Sequence, residues 1–145
     1  MAIRTEVGAS RAIEPSRRDE PARRAVTALG LLGIALIHLL DLPGKLKETP
    51  YLGAAYIVLI VASVAVAEYL MRRHDRRAWL AATALAASVL LGYVVNRSVG
   101  LPGAMDDIGN WLEPLGLASM FVEAVVVVLG LSGLVDSMAR GSADV

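Results

Sequence analysis

"PLGLASMFVEAVVVVLGLSGLV", residues 114–135, holds one ionisable side chain in 22 positions, Glu123. At a helical rise of about 1.5 Å per residue such a run crosses a hydrocarbon core of about 30 Å. Inside lipid its backbone N–H and C=O groups have no water to bond, so the run is helical. Three earlier runs share its character: residues 25–42, 51–71 and 78–95. Each is long enough to span, and the connections between them are short. Short connections make neighbouring helices antiparallel. The expected fold is therefore all-α: a four-transmembrane-helix, up-down bundle.

The flanks of the runs are polar. Residues 1–24 carry six arginines, four acids and two prolines with no apolar period, which reads as a disordered tail. Residues 136–145 form a short C-terminal tail. The first apolar run follows a long polar stretch and leads into "HLLDLPGK" without a small-residue cleavage site, so it reads as a retained helix and not a cleaved signal. The pairs Arg17-Arg18 and Arg23-Arg24 read as a positive flank and not as a twin-arginine signal.

Composition agrees with a membrane setting. Hydrophobic residues make up 56% of the chain and the mean hydropathy is +0.58, against about 45–50% apolar residues in soluble domains. The 14 basic and 14 acidic residues cancel, so no net charge draws the chain to nucleic acid. The absence of cysteine excludes disulfides, thiolate catalysis and sulfur-ligated clusters. His38 and His74 are the only histidines. They fall on opposite sides of the expected membrane, which disfavours bis-histidine haem. His38 with Asp41 or Glu123 lacks a recognisable metal-ligand spacing. No cofactor and no metal are expected.

Orientation follows from the basic residues. The tail has six arginines and the loop "RRHDRR" has four, whereas the other two loops hold only Lys45, Lys47 and Arg97. The positive-inside rule puts both termini and "RRHDRR" in the cytoplasm. The expected location is the plasma membrane, multi-pass. Tyr51 and Trp79, at helix ends, read as headgroup anchors.

Apolar side chains compete with lipid, so small residues must bring the helices together. Ala84, Ser88, Gly92 and Asn96 form one candidate seam, spaced by four. Gly116, Ser119, Glu123 and Gly130 form another on a single helix face. Gly30, Ile34 and His38 share a face of the first helix, with Asp41 near it. These seams serve packing within one chain or a homo-oligomer equally well.

Glu123 is the sharpest single feature. A charge near mid-membrane costs at least ~2.5–3.5 kcal/mol, so it is protonated, paired or facing a wet cavity. Ser119, one turn earlier, is placed to share a hydrogen bond with it. His38 has Asp41 three residues on, with Glu123, Tyr93 and Arg97 as partners across the bundle. Together Glu123, His38, Asp41, Ser119 and Tyr93 form a candidate intramembrane polar site. Glu68 stands four residues before Arg72, the spacing of a helix ion pair.

The connection "NRSVGLPGAMDDIGNWLEPLG", residues 96–116, is richer than a linker requires. "GLPG" makes a turn. Trp111 falls at headgroup level. The last helix starts either at Glu113, with Pro114 in the favoured first position, or at Asn110 with Glu113 three residues on. Arg97, Asp106, Asp107, Glu113 and Trp111 form a candidate outer-loop network. It would fold the loop onto the mouth of the bundle, with Asp41 a further partner for Arg97. The loop "DLPGKLKETPY" shares this grammar, but the helices show too little matching for an internal repeat.

The segments "HLLDLPGKLKETPYLGAAY" and "GYVVNRSVGLPGAMDDIGNWLEPLGLASMFVE" resemble a group of small four-helix membrane proteins common in actinobacteria. The resemblance covers residues 25–135. It implies a plasma-membrane setting and brings no catalytic residues. Function is expected to be non-enzymatic: a structural or accessory membrane subunit that docks a partner protein or a second copy. The alternative is a small proton- or ion-responsive transporter or channel using Glu123 and His38. An enzyme built on Asp106, Asp107 and Glu113 is disfavoured, because adjacent residues rarely aim at one substrate and no nucleophile or metal set accompanies them.

Overall fold

A computed structural model describes residues 19–143. It contains four α-helices: α1 (Asp19–Glu48), α2 (Pro50–Arg72), α3 (Arg76–Ser98) and α4 (Pro114–Ala143). A single 3₁₀ turn, Met105–Asp107, lies in the α3–α4 connection. There is no strand among the described residues. All four helices are long and apolar enough to cross a membrane.

The helices exceed the apolar runs that signal them, and polar pairing is the reason. α1 begins at Asp19, so residues 19–24 are helical and not part of a disordered tail. Asp19 and Glu20 suit a helix N-terminus. Arg24 is held by Glu20 at 2.9 Å and donates to the carbonyls of Leu70 (2.8 Å) and Arg73 (2.7 Å). Arg23 meets Asp136 at 2.6 Å. The same contact, with Arg140 to Glu20 at 3.3 Å, carries α4 beyond Val135 into the expected C-terminal tail. The rest of the N-terminal tail, residues 1–18, lies outside the described residues. At its other end α1 runs through Pro43 to Glu48. Proline removes one backbone bond there, to the Leu39 carbonyl, without ending the helix.

The connections fix an up-down order. Thr49 alone separates α1 from α2, with Pro50 at the first helical position of α2. Gly53 allows this corner, because a Cβ there would lie 2.9 Å from the Leu46 Cα. Asp75 caps α3 by accepting from the Ala78 N–H at 2.9 Å. That bond, first among its causes, holds the Asp75 carboxyl below the usual aspartate range. Gly100, with φ +80°, closes α3 by donating to the Val95 carbonyl. One end of the bundle therefore gathers the arginines and the α2–α3 connection, and is called the arginine end below. The other holds the α1–α2 corner and the long α3–α4 connection, and is called the loop end.

α1 packs extensively against α2 and α4, and α3 against α4. The α2–α3 interface is the least extensive between neighbours in the ring. The core occupies the arginine half: Trp79, Leu31, Ile34, Leu70 and Val126 are fully buried, with Ala28, Ala67, Ala78, Ala82 and Ala86 among them. Large apolar side chains such as Val58, Leu91, Phe121 and Val128 are turned outward. Small residues inside and bulky apolar residues outside are the pattern of helices associating in lipid.

Two expectations change here. Trp79 is no headgroup anchor; it is fully buried, with the guanidinium of Arg24 5.0 Å and that of Arg23 5.3 Å from its ring. Gly133 makes room for it, since a Cβ there would fall within 2.4–2.5 Å of the indole. The α3 seam is also displaced. Ala84, Ser88 and Gly92 are exposed, and Ala78, Ala82 and Ala86 pack instead. Sequence spacing marks a shared face but not which way that face turns. On α4, Gly116 and Gly130 do lie in close contact, against Tyr93 and Thr83. Glu68 and Arg72 pair at 2.6 Å on the exposed surface.

Candidate functional site: a cavity at the loop end

The thin α2–α3 interface leaves a cavity of about 620 Å³. Its walls come from the loop halves of all four helices: α1 from Ile37 onward, α2 from Leu52 to Ala62, α3 from Leu85 to Arg97, and α4 from Leu115 to Glu123. Beyond Glu123 the Trp79–Leu31–Ile34–Val126 core closes the bundle. The space is thus closed at its inner end and opens along its side between α2 and α3, where the lining residues Val58, Ser88 and Gly92 are exposed.

Glu123 is the deepest α4 residue of the wall and is fully buried. Its Oε1 accepts from Ser119 Oγ at 2.5 Å, and its Oε2 has no protein partner. The i, i+4 spacing of Ser119 and Glu123 makes this bond a local property of the helix. Gly116 continues the same face, and its missing Cβ lets Tyr93 lie against α4, since ring atoms stand within 2.7–2.9 Å of where a Cβ would be.

His38 is buried across the cavity. Its Nδ1 lies 2.9 Å from the Ile34 carbonyl of its own helix, so Nδ1 carries the donated proton and Nε2 is left as an acceptor. His38 does not bond Asp41, the partner that spacing suggested. Helix geometry puts the Ile34 carbonyl nearer, and Asp41 instead accepts from the Tyr56 hydroxyl at 3.3 Å. The Tyr56 ring meets His38 edge to face, with centroids 4.7 Å apart. Tyr56 was not singled out from the sequence. Its position inside an apolar run, where a hydroxyl needs a partner, was the available signal.

The mouth is bound by an ion-pair network centred on Asp107. Arg97 Nη1 donates to Asp107 Oδ1 at 2.6 Å, Asn96 Nδ2 to Asp107 Oδ2 at 2.9 Å, and Lys45 Nζ reaches Oδ2 at 3.4 Å. Burial pushes the Asp107 carboxyl up, but the Asn96 bond and the Lys45 and Arg97 charges outweigh it and hold it below the usual aspartate range. Arg97 is itself buried, extends Nη2 to Glu113 at 3.4 Å, and lies 5.2 Å over the Tyr93 ring. Glu113 settles the start of α4: its carboxylate accepts from the N–H groups of Leu115 (3.1 Å) and Gly116 (2.7 Å), while Asn110 stays in the loop. Trp111 is half-exposed and stands edge-on to Tyr93. Asp106 is exposed and takes no part in the network.

The α1–α2 corner is tied to the same loop. Thr49 donates to the Gly103 carbonyl at 3.1 Å and Tyr51 to the Pro102 carbonyl at 2.7 Å. The network therefore includes Lys45, Asn96, Thr49 and Tyr51 beside Arg97, Asp107 and Glu113. Among the described residues no group of three His, Cys, Asp or Glu side chains is arranged to hold a metal ion. In comparisons with known proteins, no family model matches the chain, and no curated protein or solved structure matches it.

Proposed function

We propose that the chain is a non-enzymatic, multi-pass protein of the plasma membrane whose loop-end cavity faces outward and binds a proton or cation at Glu123. One observation carries this reading: a fully buried carboxylate, with one oxygen unpartnered, lies at the inner, core-closed end of a cavity. A buried acid that served only to fix helix register would have both oxygens satisfied across the bundle. Here the single bond is to Ser119 on its own helix, which fixes no other element. The arginines of α1 and "RRHDRR" gather at the opposite end, and the positive-inside rule supports assigning that end to the cytoplasm. The resemblance to small actinobacterial four-helix membrane proteins supports the plasma-membrane setting.

The packed core below Glu123 argues against an open channel in this conformation and for an outward-facing state of a transporter-like cycle. The test is cation-dependent flux in proteoliposomes. Wild-type protein should carry a pH-dependent flux, and Glu123→Gln, which keeps an acceptor for Ser119, should abolish it while still folding. Equal flux in both proteins removes Glu123 from the function.

A second reading, an accessory subunit, has its own support. On α3, Ala84, Ser88 and Gly92 are exposed and a Cβ added at Gly92 would meet nothing within 4 Å, which leaves close-approach surface uncovered beside the cavity that Ser88 and Gly92 also line. Partner capture through this face, with no flux, would favour it.

A further inference from the structure

The unsatisfied groups of the cavity specify more than a charge. At depth they are acceptors: Glu123 Oε2 has no partner, and His38 Nε2 is left free once Nδ1 bonds the Ile34 carbonyl. The Tyr56 ring stands beside His38 and Asp41 takes its hydroxyl, so the side wall adds a π-face and a carboxylate. At the mouth, unpartnered Asn96 Oδ1 and Arg97 Nε offer one acceptor and one donor and so no preference. The other wall is apolar. Leu59 and Ala62 from α2 face Leu85 and Val89 from α3 across the least extensive helix interface, with the exposed Val58 beside them. A cation that donates hydrogen bonds fits the first wall, and an alkyl chain fits the second.

We infer that the cavity takes a primary alkylammonium amphiphile, its ammonium seated at Glu123 and His38 and its alkyl chain lying between α2 and α3. This rests on the cation-binding reading and adds the ligand's two parts. The ammonium neutralises the Glu123 carboxylate and gives N–H groups to Oε2 and to His38 Nε2. A quaternary ammonium carries the same charge without a donor, and a short ammonium lacks the chain.

Titration calorimetry on the protein in lipid nanodiscs, with empty nanodiscs subtracted, separates these parts near pH 7, where an alkylamine is protonated. The probes are octylammonium, ethylammonium and octyltrimethylammonium. Octylammonium should bind saturably, one per chain, and at least about tenfold more tightly than ethylammonium, which buries fewer methylenes, and than octyltrimethylammonium, which has no N–H to donate. Glu123→Gln should abolish saturable binding of octylammonium. Leu59→Trp, which fills the apolar wall, should weaken octylammonium and leave ethylammonium unchanged. The probe series on the wild-type protein and the Leu59→Trp variant keep the test decisive even if Glu123→Gln fails to fold. If ethylammonium binds as tightly as octylammonium, the amphiphile inference falls while the cation site stands. If octyltrimethylammonium binds as tightly, the requirement for an N–H donor falls. If none of the three ammonium ions binds saturably, this inference falls, while the proton or cation reading falls only if wild type and Glu123→Gln also carry equal flux.

Discussion

Trp79 and Trp111 stand at opposite ends of the bundle in opposite surroundings. Trp79 is 0% exposed, covered by two guanidinium groups and seated on the bare backbone of Gly133. Trp111 is 38% exposed and touches Tyr93 by its edge. The arginine end is closed by packing between helices. The loop end is closed by ion pairs across a connection, above a space that packing leaves open. The difference separates what holds the bundle from what the bundle encloses. Stability concentrates where apolar groups are buried, and the carboxylate with an unpartnered oxygen lies beyond that region.

Trp79→Ala should break this comparison most severely if it is correct. Removing a fully buried large aromatic costs about 3–5 kcal/mol, with the two stacked arginines losing their ring contact as well. Trp111→Ala should cost less than about 1 kcal/mol, the range of exposed substitutions. Unfolding of both variants in one lipid or detergent system measures the gap. Equal losses would mean that the loop end carries as much stability as the core.

Asp107→Asn should have an intermediate and local effect. Asn cannot accept the charge of Arg97, which stays buried, and breaking a charge-assisted bond of this kind costs about 1.5–3 kcal/mol. The loss should appear as faster amide exchange over residues 99–113 with the core unchanged. Acid should imitate it in the wild-type protein. Asp107 titrates below its unfolded value, so its carboxylate stabilises the folded loop at all pH above the ordinary aspartate range, and this contribution disappears as pH falls through the lowered folded value. Trp111 fluorescence should hold steady down to about pH 4 and change only below it. A change centred near pH 6 would assign the switch to another group.

The same contrast explains what could be read from the sequence. The four helices follow from runs of apolar residues that have no other way to satisfy their backbone in lipid. Glu123 with Ser119 follows from helical spacing on one chain segment. That Arg97 pairs with loop acids follows from a lone cation among acids in a short loop, but the choice of Asp107 and Glu113 over Asp106 and Asp41 does not. What was illegible depends on how helices rotate against one another. Ala84, Ser88 and Gly92 have the same spacing as a packing seam, yet α3 turns Ala78, Ala82 and Ala86 inward. Trp79 has the position of an interfacial anchor, yet Gly133, more than fifty residues later in the chain, makes a socket for it. His38 chose its own backbone over Asp41 because the carbonyl one turn back competes with any side chain.

Gly92→Ala should have the smallest effect and sharpen the comparison most finely. Gly130, on the packed side, cannot take a Cβ without meeting Thr83 at 2.3 Å, whereas a Cβ at Gly92 meets nothing within 4 Å. Alanine at an open helix position gains up to about 1 kcal/mol over glycine, so Gly92→Ala should be neutral or slightly stabilising in the isolated chain. Gly92→Leu extends the test outward. If the face stays uncovered, leucine there fills part of the cavity that Gly92 lines and unfolding is unchanged. If a second copy or another membrane protein closes on α3 through Ser88 and Gly92, leucine prevents that approach, and the assembled form loses stability while the monomer does not. Measuring both variants in dilute detergent and in native membranes therefore tells whether the wall of small residues beside the cavity is a surface for lipid or for a partner.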